Sequence, residues 1–288
     1  MKSSAGYDLT RLLCGSEGTL AIITKVTVKL HPIPEHTAAI VLSFSTLFQA
    51  ASAVTTIRQL GICIHRCELL DALSISAFNQ YNQNTINMPL LPHLFLELSA
   101  STSLSLNSHV QMLQDVLDDQ HYTNIQINYK DEERRTLWSA RHQLYYATLA
   151  LRPGATKAIV TDVCVPLSAF AKTIQQSVDL IQSHDLTAPC FGHAGDGNFH
   201  CIFPVKLDTY NNTDENDYIE RVHKVYDIMI RNAIDVGGTC TGEHGIGYGK
   251  IKYLEMQYSK CAVNLMRNIK KFIDPLNIMN PGKVVSLK

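Results

Sequence analysis

The chain has 288 residues, enough for one large domain or two modest ones with a true core. Apolar residues make up 45% and charged residues 18%, the balance of an ordinary globular protein. The net charge of −1 excludes the strong basic field of a nucleic-acid binder or a polybasic membrane-surface protein, and no apolar run reaches the length of a membrane span.

The N-terminal stretch MKSSAGYDLTRLLCGSEG lacks the apolar region and small-residue cleavage site of a signal peptide, and its early Asp8 and Glu17 are unlike a mitochondrial presequence. Residues 19–30, rich in β-branched side chains, predict a strand that ends at His31-Pro32-Ile33-Pro34. Residues 38–44 predict a second strand. Leu47, Ala51, Val54, Ile57 and Leu60 then recur at helical spacing up to Gly61. The alternation continues with strand over 93–99, helix over 105–118 and strand over 125–129. A helix opens at Asp131 with an acidic first turn and runs to about Leu151, where Arg152-Pro153-Gly154 stops it. Residues 158–165 predict a strand and 168–184 a helix. The stretch APCFGHAGDGNFHCIFPV carries two strand-like arms around Gly195-Asp196-Gly197-Asn198 and predicts a hairpin. Ile219, Val222, Tyr226, Met229, Ala233 and Val236 share a helix face, and Gly237-Gly238 end that helix. This pattern implies an α+β fold with a mainly antiparallel sheet and helices on one face.

Two segments carry chemistry. In GHAGDGNFH, His193 and His200 flank the hairpin turn, so chain reversal brings two imidazoles together with glycines keeping the approach open. Either histidine alone is what an ordinary hairpin would carry; the pair is what points to a metal. In GGTCTGEHGIG, five glycines surround Glu243 and His244. Glycine adds no side chain to a core and costs backbone entropy, so such a loop suits close approach of a cofactor or substrate, although plain connectors are also glycine-rich. It is neither a dinucleotide fingerprint nor a phosphate loop. Two histidines and a carboxylate make an open divalent-metal site. A zinc site from Cys190, His193, Cys201 and Cys240 competes less well, because neighbouring strand residues point to opposite faces: if His200 faces the metal, Cys201 faces away. The eight cysteines are scattered with no CxxC pair and read as buried thiols of a reducing compartment. Arg141, in LWSARHQLYYATL, has the fork that pairs with a carboxylate, though from its position alone it reads as a solvated helix residue.

GYDLTRLLCGSEGTLAIITKVTVKLHP resembles the last segment of the flavin domain in the vanillyl-alcohol-oxidase superfamily. GHAGDGNFH, GTCTGEHGIG and the closing FIDPLNIMNPGK resemble the C-terminal domain of FAD-linked oxidases. TDVCVP and LWSARH are similar to the mitochondrial D-lactate dehydrogenase (cytochrome) branch. The resemblance implies a ferredoxin-like substrate and metal-binding cap domain over 35–270, the tail of an FAD-binding domain over 1–34, and a segment over 271–288 that returns to the flavin. It implies His193, His200 and Glu243 as ligands of a divalent metal (Zn or Mn) and His244 as the base for the substrate hydroxyl. Arg141 and, through a looser match, Lys157 hold the substrate carboxylate. Gly15, Ser16, Gly18, Thr19, Ile23 and Asn280 match flavin contacts. Relatives acting on 2-hydroxyglutarate carry Asn where this chain has Ile202 and Thr where it has Tyr145, which favours a monocarboxylate. The implied activity is oxidation of a D-2-hydroxy acid with FAD, electrons passing to an acceptor such as cytochrome c, in the mitochondrion.

In the family, the segment that cradles the FAD pyrophosphate precedes GSEGTL by a domain-sized stretch, roughly a hundred residues. The expectation is therefore of a chain lacking the front of its flavin domain: an incomplete gene product, an alternative product or a decayed copy. Two other readings stay open, a non-catalytic remnant that binds metal but no flavin, and a metal-dependent hydrolase using the same ligands.

Overall fold

The computed structural model describes residues 4–62, 64–82, 87–118, 122–206 and 213–287. They form two compact units, one of residues 32–238 and the other of residues 1–31 with 239–288. Residues 239–270, placed in the cap domain by the sequence reading, here group with residues 1–31 and 271–288.

The larger unit is an antiparallel sheet with helices. Its strands are β1 (His36–Phe44), β2 (Arg66–Leu70), β3 (His93–Ala100), β4 (Tyr122–Asn128), β5 (Lys157–Val160), β6 (Val163–Cys164), β7 (Cys190–His193) and β8 (Asn198–Val205). They lie in the order β4-β1-β3-β2-β7-β8-β5, with β6 also on β8. Every strand pair among the described residues is antiparallel, as the sequence implied.

Both alternating sets of β1 are buried, so helices cover more than one face of the sheet. One side chain set, with Ala39, Val41, Leu70, Phe95, Phe191 and Ile202, packs with Ile75 and Phe78 of α3 (Ala72–Tyr81), Leu137 and Trp138 of α5 (Asp131–His142), and Leu144 and Ala147 of α6 (Leu144–Leu149). Against the sheet there also pack α2 (Leu47–Gln59) and α4 (Ser103–Asp118), and α2 packs on α7 (Leu167–Ser183).

Helix starts follow the local chemistry. The Thr46 hydroxyl caps α2 by accepting from Gln49 N, and the Asp71 carboxylate caps α3 by accepting from Ser74 N at 2.7 Å. The single helix expected from Asp131 to about Leu151 is two, broken at Gln143. Helix α8 (Thr213–Asp235) is fastened near its start by Glu215, which is forked by Arg152 at 2.7 Å on both oxygens. Gly237, at φ +82°, then ends it.

In the smaller unit α1 (Leu9–Leu13), α9 (Ile251–Gln257) and α10 (Lys260–Ile273) are helical. The strand expected over 19–30 does not form. These residues have no sheet partner, and Ile22, Ile23, Val26, Val28 and Leu30 are all exposed. β-Propensity describes fit to a half-buried pleated surface, and this stretch has none to join. No helix among the described residues is long and apolar enough to cross a membrane.

Candidate functional site

Strand register builds the site of the larger unit. In β2–β7 pairing Glu68 lies opposite His193, and in β7–β8 pairing Phe191 lies opposite His200. Alternation then puts Glu68, Phe191, His193, His200 and Ile202 on one face. Between β7 and β8 the chain makes one turn of 3₁₀ helix, Ala194–Asp196, followed by Gly197 at φ +77°. A Cβ on Gly197 would stand 2.1 Å from the Val165 carbonyl oxygen, and one on Gly192 would stand 2.5 Å from Phe199 Cα. The glycines of GHAGDG are therefore what lets the two histidines converge.

The two imidazoles lie edge to face with centroids 6.2 Å apart. His193 Nδ1 is 2.6 Å from Glu68 Oε1, and His200 Nδ1 is 3.0 Å from the Thr161 carbonyl oxygen. A carboxylate or carbonyl on the far nitrogen is the usual support of a metal-ligating histidine, because it fixes the tautomer and turns Nε2 toward the metal. The donor set thus fits a divalent cation of the imidazole-binding kind. Behind His200, the fully buried Asp162 accepts from Asn198 Nδ2 at 2.9 Å, with one carboxylate oxygen 3.8 Å from His200 Nδ1.

Arg141 is in the last turn of α5, and it is not a solvated helix residue. Its side chain is 12% exposed; one guanidinium nitrogen lies 2.6 Å from Glu68 Oε2, and the guanidinium stands 4.8 Å from the Phe191 ring centroid. Its buried Nε has no hydrogen-bond partner. Burial pushes the Glu68 carboxyl up, but the hydrogen bond from His193 and the charge and hydrogen bond of Arg141 outweigh it, and the group ends below its ordinary value. Glu68, Arg141 and His193 line a cavity of about 320 Å³ together with Arg58, Cys67, Trp138 and Asp196. Burial first, and then the Glu68 charge, raise the Cys67 thiol to about 12, so it is no nucleophile.

The remaining expected residues fall less uniformly. Ile202 is buried in the apolar cluster beside Phe191 and Trp138. Tyr145 lies just past the break at Gln143, edge-on to Tyr146. Lys157 is exposed at the start of β5 opposite Val205, five residues along β8 from His200, or roughly 16 Å at strand rise. The structure does not bring it to the Glu68–Arg141–His193 cluster. Cys190 and Cys201 face each other across β7–β8 with sulfurs 3.4 Å apart, both fully buried. They pair on the sheet face opposite His200, which disposes of the four-residue cysteine zinc site. All the described cysteines are free thiols, and Cys63 lies outside the described residues.

Glu68 and Asp162 were not singled out in the sequence. Glu68 had a usable signal, an ionisable residue inside the otherwise apolar run Cys67–Leu70.

In the smaller unit the flavin-matching residues cluster around one buried ammonium. Lys270 Nζ donates to the Thr19 carbonyl at 2.9 Å and the Met279 carbonyl at 2.8 Å, and pairs with Asp274. Thr19 Oγ1 donates to the Ser16 carbonyl at 2.7 Å, and Asn280 donates to the Glu17 carbonyl. Gly15 and Gly18 both have positive φ, and open space stands where a Gly15 Cβ would be, so bare backbone is presented as a flat ring system requires. A cavity of about 320 Å³ opens beside Gly15, Ser16 and Thr19. Ile23 is separate, on the exposed stretch. Glu243 and His244 are exposed neighbours on the glycine-rich loop, with His244 Nε2 3.8 Å from Glu243 Oε1.

Comparison with known proteins agrees with the resemblance. Residues 33–284 match the family described as FAD linked oxidases, C-terminal domain. The chain is 42% identical to a probable mitochondrial D-lactate dehydrogenase of Danio rerio, over 99% of this chain and 56% of the relative. It is 38% identical to the mitochondrial D-lactate dehydrogenase [cytochrome] of Arabidopsis thaliana, over 99% and 48%. It is 33% identical to glycolate oxidase subunit GlcD of Bacillus subtilis, over 98% and 58%. The chain thus spans about half the length of the curated relatives it matches. Among solved structures, alkyldihydroxyacetonephosphate synthase shares the fold at TM-score 0.62 and 19% identity, covering 98% of this chain and 50% of that one. A p-cresol methylhydroxylase shares it at 0.62 and 14%, covering 89% and 54%. With a match over residues 33–284 and relatives above 30% identity along nearly its whole length, the chain belongs to the FAD-linked oxidase family and carries that family's C-terminal domain.

Proposed function

We propose that this chain is the substrate-binding and metal-binding part of a mitochondrial FAD-dependent dehydrogenase that oxidises a D-2-hydroxy acid, D-lactate to pyruvate, and passes the electrons to cytochrome c. The observation that carries this reading is a cluster in the larger unit, where Arg141, with an unpartnered buried donor, lines a cavity with His193, and where His193 and its neighbour His200 both have their far nitrogens already engaged. An unsatisfied guanidinium N–H is the complement of a substrate carboxylate. The name of the Danio rerio relative supplies the substrate.

In this reading His193, His200 and Glu243 hold the divalent metal, Zn or Mn. Gly15, Ser16, Gly18, Thr19 and Asn280 hold part of the flavin. When bound, the metal lowers the pKa of the substrate hydroxyl and FAD accepts the C2 hydride. Arg141 fixes the carboxylate and so sets which enantiomer can present its single C2 hydrogen for transfer. His244 removes the hydroxyl proton as C2 is oxidised. Ile202, buried in the apolar cluster with Phe191 and Trp138, offers no polar partner where relatives that act on dicarboxylates carry Asn, and Tyr145 stands where they carry the smaller Thr.

The test is reduction of cytochrome c by a form of the protein carrying a complete flavin-binding domain. D-lactate should support it, L-lactate and D-2-hydroxyglutarate should not, and a chelator should abolish it until Zn²⁺ or Mn²⁺ is restored. Equal rates with and without the chelator would refute the metal's role.

A further inference from the structure

We propose that Glu68 is the positioning residue of this site: one carboxylate sets the tautomer of His193 with Oε1 and the plane of the Arg141 guanidinium with Oε2, so that metal binding and carboxylate binding are prepared by the same group. This rests on the reading of His193 as a metal ligand and Arg141 as the substrate clamp. Both contacts are 2.6 Å, and they use different oxygens. The Glu68 side chain is 10% exposed, and its place is fixed by register, since Glu68 is the direct cross-strand neighbour of His193 on β7 and of Phe95 on β3.

An ionised carboxylate only accepts, so the nitrogen facing it must carry the proton. With the proton on Nδ1, Nε2 keeps its lone pair, which is what a cation needs. The second oxygen does different work. Arg141 stands above Phe191 with its Nε unpartnered, and the pull of Oε2 holds the guanidinium in that attitude. Glutamine at this position breaks the arrangement without changing its size. Its one carbonyl oxygen satisfies Arg141, and its NH₂ then faces His193 Nδ1 and makes it an acceptor. The proton moves to Nε2, where it blocks the metal.

The experiment uses the 288-residue chain and Zn²⁺ as the probe. ¹⁵N-detected histidine spectra of the metal-free chain in mildly alkaline buffer should show His193 protonated on Nδ1 in the wild type and on Nε2 in Glu68→Gln. Competition against a chromophoric chelator should show Zn²⁺ affinity falling about 10–100-fold in Glu68→Gln, with part of it restored in Glu68→Asp. His200→Ala should lose Zn²⁺ while leaving the His193 tautomer as in the wild type. A wild-type His193 protonated on Nε2 overturns the proposal with no variant needed, which covers the case of a variant that does not fold. If His200→Ala loses Zn²⁺ but Glu68→Gln binds it like the wild type, the tautomer lock is wrong and the metal site stands. A wild-type chain that binds no Zn²⁺ removes both.

Discussion

Truncating Arg141 removes two things at once. A carboxylate clamp holds ground state and transition state alike, so Arg141→Ala should raise KM with a smaller change in kcat. It also leaves Glu68, largely buried, without its cation, and breaking a buried pair costs about 3–5 kcal/mol. A chemical denaturation curve on the same preparation separates the two effects, and Arg141→Lys should recover stability better than KM, since a point charge neutralises Glu68 but is not a fork. In the proposed reading His244 is the base for the substrate hydroxyl, and it is exposed on the glycine-rich loop. His244→Ala should therefore lower kcat by about 10²–10⁴-fold at nearly constant stability. A kcat near wild type would assign proton removal elsewhere. The dicarboxylate swap is less simple than its sequence logic. Ile202 is 2% exposed in an apolar cluster, so Ile202→Asn buries an unpartnered amide and should cost about 1–3 kcal/mol before any gain in 2-hydroxyglutarate turnover is seen. Sequence reasoning paired His193 with His200 because a turn is a local signal. Glu68 lies 125 residues from His193 and reaches it through strand order, which no short motif encodes.

At the scale of elements, the hairpin and the start of α3 carry the clearest consequences. Gly197→Ala would place an L-residue at φ +77° with its methyl against the Val165 carbonyl oxygen. The left-handed backbone alone costs about 1–2 kcal/mol, and the collision forces the turn to shift. Lower melting temperature together with weaker Zn²⁺ binding should result; retention of both would mean the turn has slack. The Asp71 carboxylate is buried at the α3 N-cap, and burial raises it from 3.8 to about 6 in spite of its bonds to Ser74. The folded value lies above the unfolded one, so protonated Asp71 favours the fold: its contribution is complete below about 3.8 and is lost as pH rises through about 6. At about 1.4 kcal/mol per unit the span is roughly 3 kcal/mol. Asp71→Asn should flatten denaturation midpoints across that window and stabilise the chain at neutral pH. Most element positions were legible, because period and capping residues are local. The single helix from Asp131 and the strand over 19–30 were not. The break at Gln143 has no proline or glycine to announce it, and a strand exists only when another is beside it.

For the whole molecule the exposed stretch over 20–33 is the dominant liability. Alternating apolar residues with unpaired backbone are a template for association with another chain. The chain alone should self-associate at micromolar concentration, and Val26→Lys with Val28→Lys should shift it toward monomer in sedimentation, with Zn²⁺ affinity unchanged because neither position is among the proposed ligands His193, His200 and Glu243. It should also retain flavin poorly, since Gly15, Ser16, Gly18, Thr19 and Asn280 offer few of the backbone donors that a pyrophosphate needs. A yellow monomer with stoichiometric flavin would contradict this. The family was legible because its motifs are continuous runs.

The Lys270 clasp sets an order of events during synthesis. Thr19 and Lys270 are 251 residues apart in the chain, yet one ammonium holds both ends of the smaller unit. At about 5–20 residues per second, Thr19 leaves the ribosome roughly 10–50 s before its partner exists. In that interval the larger unit has been made in full and is free to fold, while the N-terminal segment waits. Nascent-chain protection of Thr19 should thus appear only once Lys270 has emerged, and whatever shields the waiting segment must act early and let go late.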